Sequence, residues 1–280
     1  MLVLPAVLLA LAAVQPGGTA TVDVSVATLW RAPGIARAID APALSNPVDL
    51  DAWNRNLAST RARAGLDPLV VTQALYGEQV EVLAVRGSWA KVAVPDQPSP
   101  LDRRGYPGWL PLRQLTTTRR GSTGLVLVSK QGTVKAGMKA IEVSYGTRLP
   151  SGVVATAGDW RKVPPPTGAS IVASAKRFLG LRYLWGGVSS WGFDCSGLVW
   201  DVFRVHGVVV PRDTGPQSRG GTRVSPGALR PGDLVFYGSP ATHVAIAAGH
   251  GKMIEAPDSA HAVRLVPLRP GFTAARRYTR

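Results

Sequence analysis

Phe193-Asp194-Cys195-Ser196-Gly197-Leu198-Val199, continued by Val202, Phe203 and Gly207, is the stretch that decides the fold. Its periodicity predicts a helix from Asp194 to about His206, with Leu198, Val199, Val202 and Phe203 facing inward and Gly207 as terminator. Asp194 reads as the N-cap, which puts Cys195 in the first turn. A thiol there faces unpaired backbone N–H groups and the positive end of the helix dipole, and both stabilise a thiolate. The same N–H groups can hold an oxyanion when a carbonyl is attacked. A free cysteine is often just a small buried apolar residue. The polar, glycine-flanked setting of Cys195 favours chemistry instead. It is the one cysteine in 280 residues, which leaves no internal disulfide and no cysteine-rich zinc site.

Working outward, Ile171, Ala175, Phe178 and Leu179 make an earlier helical stripe, with Ser170 as N-cap and Gly180 as stop. Four strands are expected downstream, at Leu234–Tyr237, His243–Ala248, Lys252–Pro257 and Val263–Val266. Helices followed by an antiparallel sheet make an α+β unit.

His243 opens one of these strands, and Glu255 lies in the next. If Gly249-His250-Gly251 is a three-residue loop, Ala248 pairs with Lys252 and Ala245 with Glu255. His243 and Glu255 then share one face, and Val244, Ile246, Ile254 and Ala256 share the apolar face. A two-residue loop would separate His243 from Glu255, and the apolar alternation fits either register. Side by side, the carboxylate would orient the imidazole and stabilise its charged form, as a catalytic triad requires. His206, His250 and His261 read as surface positions, and the histidines lack paired metal-ligand spacing.

The front half reads as short strands between turns. Leu75-Tyr76, Val80–Leu83, Trp89–Val94 and Gly108–Pro111 suggest a small antiparallel barrel over residues 21–118. Val48, Leu50, Trp53 and Leu57 form a helical insertion within it. A second strand-rich unit covers 119–164, and Val163-Pro164-Pro165-Pro166 is a stiff boundary to the last unit, 165–280. Residues 1–20 read as an export signal: Leu2–Val14 is almost wholly apolar, Gly17 to Ala20 are small, and the run is too short to span a bilayer. The formal charge is +15, with Lys and Arg scattered rather than clustered. Such a charge suits an anionic partner, whether nucleic acid, acidic lipid or an anionic wall polymer, and the scatter favours a solvated surface with long-range attraction to polyanions over a specific nucleic-acid site.

Several ordered motifs carry a family resemblance. Tyr183-Leu184-Trp185-Gly186-Gly187, Phe193–Val199, Val210-Pro211-Arg212-Asp213-Thr214 with Gln217, Leu229–Phe236, Thr242–Ile246 and Met253–Pro257 together resemble the signature of NlpC/p60 cysteine peptidases, over about Ser170 to Pro270. The resemblance implies a papain-like core with Cys195 as nucleophile, His243 as base and Glu255 as third member. It also implies substrate contacts at Tyr183, Asp194 and Ser196, without metal or organic cofactor. Gly77–Leu83, Gly87–Val92 and Gly108–Leu110 resemble a bacterial SH3-like domain, and 121–164 resembles a more divergent second copy.

Ala43–Asp49, Thr72–Glu78 and Gly105–Trp109 are similar to the γ-D-glutamyl-L-diamino-acid endopeptidases of this family. In that subgroup an acid and a tyrosine from the first SH3-like domain read the free amine of an N-terminal L-Ala; Glu78 and Tyr106 are the candidates here. The implied reaction is hydrolysis of the γ-D-Glu–diamino acid bond, with diaminopimelate as the expected residue, in murein stem peptides or peptidoglycan. The implied location is outside the cell or in the wall. Two rivals remain at this point: a non-catalytic wall-binding protein, and an amidase or acyltransferase on the same core.

Overall fold

The computed structural model describes residues 14–279. The apolar run of the proposed export signal lies mostly outside the described residues. Its proposed end does not: strand Thr19–Val22 is paired in the first barrel, Ala20 is buried, and Gly17 N–H donates to Val82 O. The first barrel therefore starts earlier than residue 21, because Gly17 to Ala20 are held by backbone bonding to its strands.

That barrel is a seven-stranded antiparallel sheet, and the strands expected at Val80–Leu83, Trp89–Val94 and Gly108–Pro111 are present as Gln79–Arg86, Trp89–Val94 and Tyr106–Pro111. The helical insertion lies between strands Val26–Trp30 and Val70–Leu75. Helix α1 (Leu50–Asn56) carries the apolar stripe, capped by the Asp49 side chain, which accepts from Ala52 N–H. A 3-10 turn at Ala38–Ala43 and helix α2 (Thr60–Ala64) flank it. Leu50, Trp53 and Leu57 pack with Trp30 and Leu66 and also with Leu184, Val188, Trp191 and Trp200 of the last unit. The insertion thus shares one core with the segment around Cys195.

The second all-β unit is two three-stranded sheets, 139–144/131–136/154–157 and 148–150/122–127/160–162, closed over Leu127, Val134 and Val143.

The α+β unit stacks helices α3 (Gly168–Lys176) and α4 (Cys195–Val205) on a six-stranded sheet in the order 222–223, 274–277, 234–237, 243–249, 252–255, 264–267. Helix α3 begins one turn before the expected cap. Thr167 accepts from Ser170 N–H, and Ser170 Oγ in turn accepts from Thr167 N–H, a reciprocal capping box that leaves Ser170 inside the helix. The α4 boundaries match the expectation, with Asp194 as N-cap. A short helix, α5 (Thr214–Arg219), and the strand Ala274–Arg277 carry too little apolar periodicity to be read in advance.

The hairpin between 243–249 and 252–255 departs from the expected loop in an informative way. The turn has two residues, His250 and Gly251, both with positive φ (50° and 64°). A two-residue turn alone would have put His243 and Glu255 on opposite faces. A bulge between Ala247 and Gly249 adds one residue and restores the parity, so Ile246 pairs with Ile254. The side-by-side placement holds, for a different local reason. His206 is another departure: it is buried, with Nε2 against Ser174 Oγ at 2.9 Å and Nδ1 against Pro165 O at 3.1 Å.

Trp53 is 1% exposed, and its Nε1 donates to Asp40 Oδ1. Trp53→Ala should cost about 3–5 kcal/mol. Because its core spans both units, denaturant unfolding followed by barrel and catalytic-unit probes should shift in one transition; two separated transitions would contradict the shared core.

Candidate active site

The N-terminus of α4 is built around Asp194. Its carboxylate accepts from Gly197 N–H at 2.6 Å, from Gly186 N–H at 2.9 Å, and from both terminal nitrogens of Arg212 at 3.0 and 2.7 Å. Arg212 is 1% exposed, and its Nη1 also donates to Ser196 Oγ and its Nε to Thr72 Oγ1 in the first barrel. Two glycines make this crowding possible. At Gly197 a Cβ would lie 2.0 Å from Gly187 O. Gly186 has φ of +72° and a Cβ there would meet Val70 Cγ1 at 2.6 Å.

Cys195 is thereby presented, part-exposed, at the floor of a cleft of about 740 Å³. Its Sγ lies 3.6 Å from Thr214 Oγ1, at the start of α5. No hydrogen bond within the chain takes up the Cys195 N–H among the described residues, as expected at the first turn. Tyr183 lines the same cleft, and its phenol is pushed above its ordinary range by burial, then by the charges of Asp194 and Cys195. It stays a neutral donor.

His243 faces Cys195 across this floor. Its Nε2 lies 2.7 Å from Glu255 Oε2, which leaves Nδ1 as the ring nitrogen free to take up a proton in the cleft that Cys195 also lines. Burial alone would push the imidazolium down. The hydrogen bonds and charges of Cys195 and Glu255 outweigh it and raise His243 to about 9. Glu255 is 0% exposed. Burial opposes its charge, but hydrogen bonds from His243, Arg269 and Arg264 hold it down to about 2. Such a group can deprotonate a thiol, orient the base through a permanent carboxylate, and return a proton to a leaving group.

The remaining sequence candidates divide. Tyr106 reaches the cleft, but its hydroxyl donates to Asp213 Oδ1 at 3.2 Å, not to Glu78. Asp213 also lines the cleft, and burial raises its carboxyl above the usual range despite Arg212 nearby. Glu78 is the correction. It is buried on the far side, accepting from Leu75 N–H at 3.1 Å and pairing with Arg204 Nη1 at 3.0 Å. Its turn follows strand Val70–Leu75 toward the distal end of α4, so it does not line the cleft. Asp194 and Ser196 line the cleft with their polar atoms already engaged by Arg212. The reading missed Asp213, Thr214, Arg264 and Arg269 as site residues, although the first two stand in a motif it quoted. Among the described residues no group of three His, Cys, Asp or Glu gathers as a metal site, and no helix is long and apolar enough to cross a membrane.

Residues 180–278 match the NlpC/P60 family, and residues 63–115 match the bacterial dipeptidyl-peptidase Sh3 domain. A protein of Bacillus cereus named gamma-D-glutamyl-L-lysine dipeptidyl-peptidase is 37% identical, with 92% of this chain and 90% of that protein covered. The chain belongs to the NlpC/P60 family. A Bacillus subtilis protein of the same name is 35% identical over 89% of this chain and 93% of its own length. The crystal structure of an NlpC/P60 family protein from Bacillus cereus superposes with a TM-score of 0.87 at 35% identity, covering 94% of this chain and all of that one (100%). The architecture, an SH3-like unit ahead of an NlpC/P60 unit, is therefore shared over 94% of this chain, and the protein is a peptidase of the cysteine type.

Two outcomes follow from this geometry. Arg212→Met leaves the Asp194 charge buried without its partner and should cost about 3–5 kcal/mol in denaturant unfolding. The His243–Glu255 pair should also shape stability against pH. His243 is raised from 6.5 to about 9, so its contribution is complete below 6.5 and is lost as pH rises through 9. Glu255 is lowered from 4.5 to about 2, so its contribution is complete above 4.5 and is lost as pH falls through 2. Unfolding of wild type and Glu255→Gln at pH 6 and pH 9.5 should show a smaller alkaline loss in the variant.

Proposed function

We propose that this protein hydrolyses the amide between γ-D-glutamate and an L-diamino acid in stem peptides of the bacterial cell wall. The observation that carries the reading is the Cys195–His243–Glu255 arrangement at the floor of a cleft walled by the first SH3-like unit. Cys195 attacks the γ-carbonyl as its proton passes to His243 Nδ1. The Cys195 N–H and the Tyr183 phenol hold the oxyanion. The C–N bond breaks as His243 gives its proton to the leaving amine, and water then clears the acyl-enzyme. Glu255 orients His243 throughout.

We read the substrate as a peptide with a free N-terminal L-Ala. The first barrel closes one side of the cleft, where Tyr106 and Asp213 form an acid–tyrosine pair suited to an ammonium. This pair takes the role first considered for Glu78 and Tyr106. Burial holds the carboxyl of Asp213 up, so an incoming ammonium would stabilise its ionised form. In intact murein that nitrogen is an amide and carries no charge. The diamino acid is read as diaminopimelate from the resemblance, while the names of the two Bacillus relatives specify lysine. Export to the wall, and attraction of the +15 chain to anionic wall polymers, belong to the same reading.

The test uses L-Ala-γ-D-Glu-L-Lys and its diaminopimelate counterpart, each with a free and an N-acetylated L-Ala. Cys195→Ala should remove turnover and leave the fold intact. N-acetylation, and Tyr106→Phe on the free-amine substrate, should each lower kcat/KM by about 10-fold or more, as expected for a charge-assisted hydrogen bond. Activity in the Cys195→Ala protein would refute the mechanism. Equal rates on free and acetylated peptides would refute amine recognition.

A further inference from the structure

The third member of the triad carries more partners than orientation alone needs. Glu255 is fully buried, and its two oxygens are divided. Oε2 serves His243 at 2.7 Å, while Oε1 accepts from Arg264 Nε at 2.9 Å, Arg264 Nη2 at 2.8 Å and Arg269 Nη1 at 2.8 Å. Arg264 reaches it as the cross-strand neighbour of Glu255. Arg269 comes from beyond that strand, and its guanidinium lies over the Tyr237 ring at 4.6 Å. Tyr237 in turn lies beside His243, with ring centroids 6.1 Å apart, and donates its hydroxyl to Arg269 O. Neither arginine is in the core: their side chains are 38% and 42% exposed.

We propose that Arg264 and Arg269 are positioning residues that set the acid strength of His243 by dividing and partly neutralising the Glu255 carboxylate. The proposal rests on the triad reading above. A lone buried carboxylate against an imidazole both orients it and holds its proton tightly. Tight holding helps the first step, in which the thiol proton moves to Nδ1. It hinders the second, in which that proton must leave for the nitrogen of the departing amine as the C–N bond breaks. Two guanidinium groups on Oε1 fix the carboxylate's rotation, so Oε2 stays aimed at Nε2. Their charge also weakens the hold of Glu255 on the imidazolium.

The charged and titratable groups around His243 come from four directions: Cys195 at the start of α4, Tyr237 on the adjoining strand, Glu255 with Arg264 and Arg269, and the exposed Asp258–His261 pair in the loop after Glu255. Of these, the two arginines alone bear a positive charge directly on Glu255, besides His243 itself.

The experiment follows the His243 ring by NMR as a function of pH in wild type, Arg269→Gln, Arg264→Gln and Arg269→Lys, alongside kcat/KM profiles. Each Gln variant should raise the His243 titration by about one unit and move the alkaline limb of the profile with it. It should also lower kcat more than it changes KM. Arg269→Lys should restore most of both. An arginine that is only structural would lower activity or stability and leave the titration in place. An unmoved or lowered titration in folded Gln variants would overturn the proposal. The NMR titration needs no turnover, so it separates this idea from the triad reading, which fails instead if His243→Ala remains active.

Discussion

The guanidinium of Arg212 is the constraint on which the site depends. Its four contacts tie together two parts of the chain that sequence keeps far apart: the start of α4, through both oxygens of Asp194 and Ser196 Oγ, and Thr72 Oγ1 in the first barrel, 140 positions before Arg212. A buried guanidinium and carboxylate are costly to desolvate, and the pair is tolerable only when their hydrogen-bonding directions are filled. They are filled here because two backbone amides, from Gly186 and Gly197, take the remaining directions of Asp194. The result is an N-cap that cannot rotate. The first turn of α4, and Cys195 with it, is fixed relative to the wall of the neighbouring unit.

The other end of α4 is held by a second buried charge cluster. Arg204 meets Glu78 of the first barrel at 3.0 Å, Asp201 one turn back at 3.2 Å, and donates to Gly146 O of the second barrel at 2.9 Å. Trp200 adds a bond from its Nε1 to Asp96 O, and its ring lies under the Arg204 guanidinium. Asp201 is raised by burial, against the pull of Arg204, to about 7. Burial likewise raises Glu78. The cluster gathers three carboxylates, Glu78, Asp201 and Asp96, around the one guanidinium of Arg204. Its geometry explains why three units meet on a single helix.

The two clusters also show what was legible in the sequence. The α4 helix and its N-cap followed from local rules, because capping is short-range, whereas the placement of His243 beside Glu255 hung on the length of the loop between their strands. Tyr106 was legible as a cleft residue only through resemblance. Its partner was not, since Asp213 and Tyr106 are joined by tertiary packing across 107 positions. Glu78 was misplaced for the same reason. An acid in a turn next to a strand gives no local sign of whether it faces a cleft or a buried arginine on another unit. The hairpin shows a subtler limit. Alternation fits either register of Ile246 against Ile254, and it could not foresee that a two-residue turn corrected by a bulge would stand in for the three-residue loop. The two give the same parity.

With α4 pinned at both ends, the first barrel and the nucleophile behave as parts of one body. Thr72 and Glu78 lie on the same stretch of the barrel, a strand and its following turn; Thr72 accepts from Arg212, which holds the N-cap of α4, and Glu78 pairs with Arg204 near the other end of that helix. Any movement of the barrel away from the cleft must therefore break Arg212–Thr72 and Arg204–Glu78 together, and must also open the tryptophan-rich core shared by Trp30, Trp53, Trp191 and Trp200. A cleft framed in this way is preorganised. The distance from the Tyr106–Asp213 pair to Cys195 is set by packing before any ligand arrives. On the proposed reading, in which that pair anchors the substrate's amine, discrimination rests on how many residues fit between the anchored end and the fixed thiol, a geometric limit that neither the barrel nor the catalytic unit could impose alone.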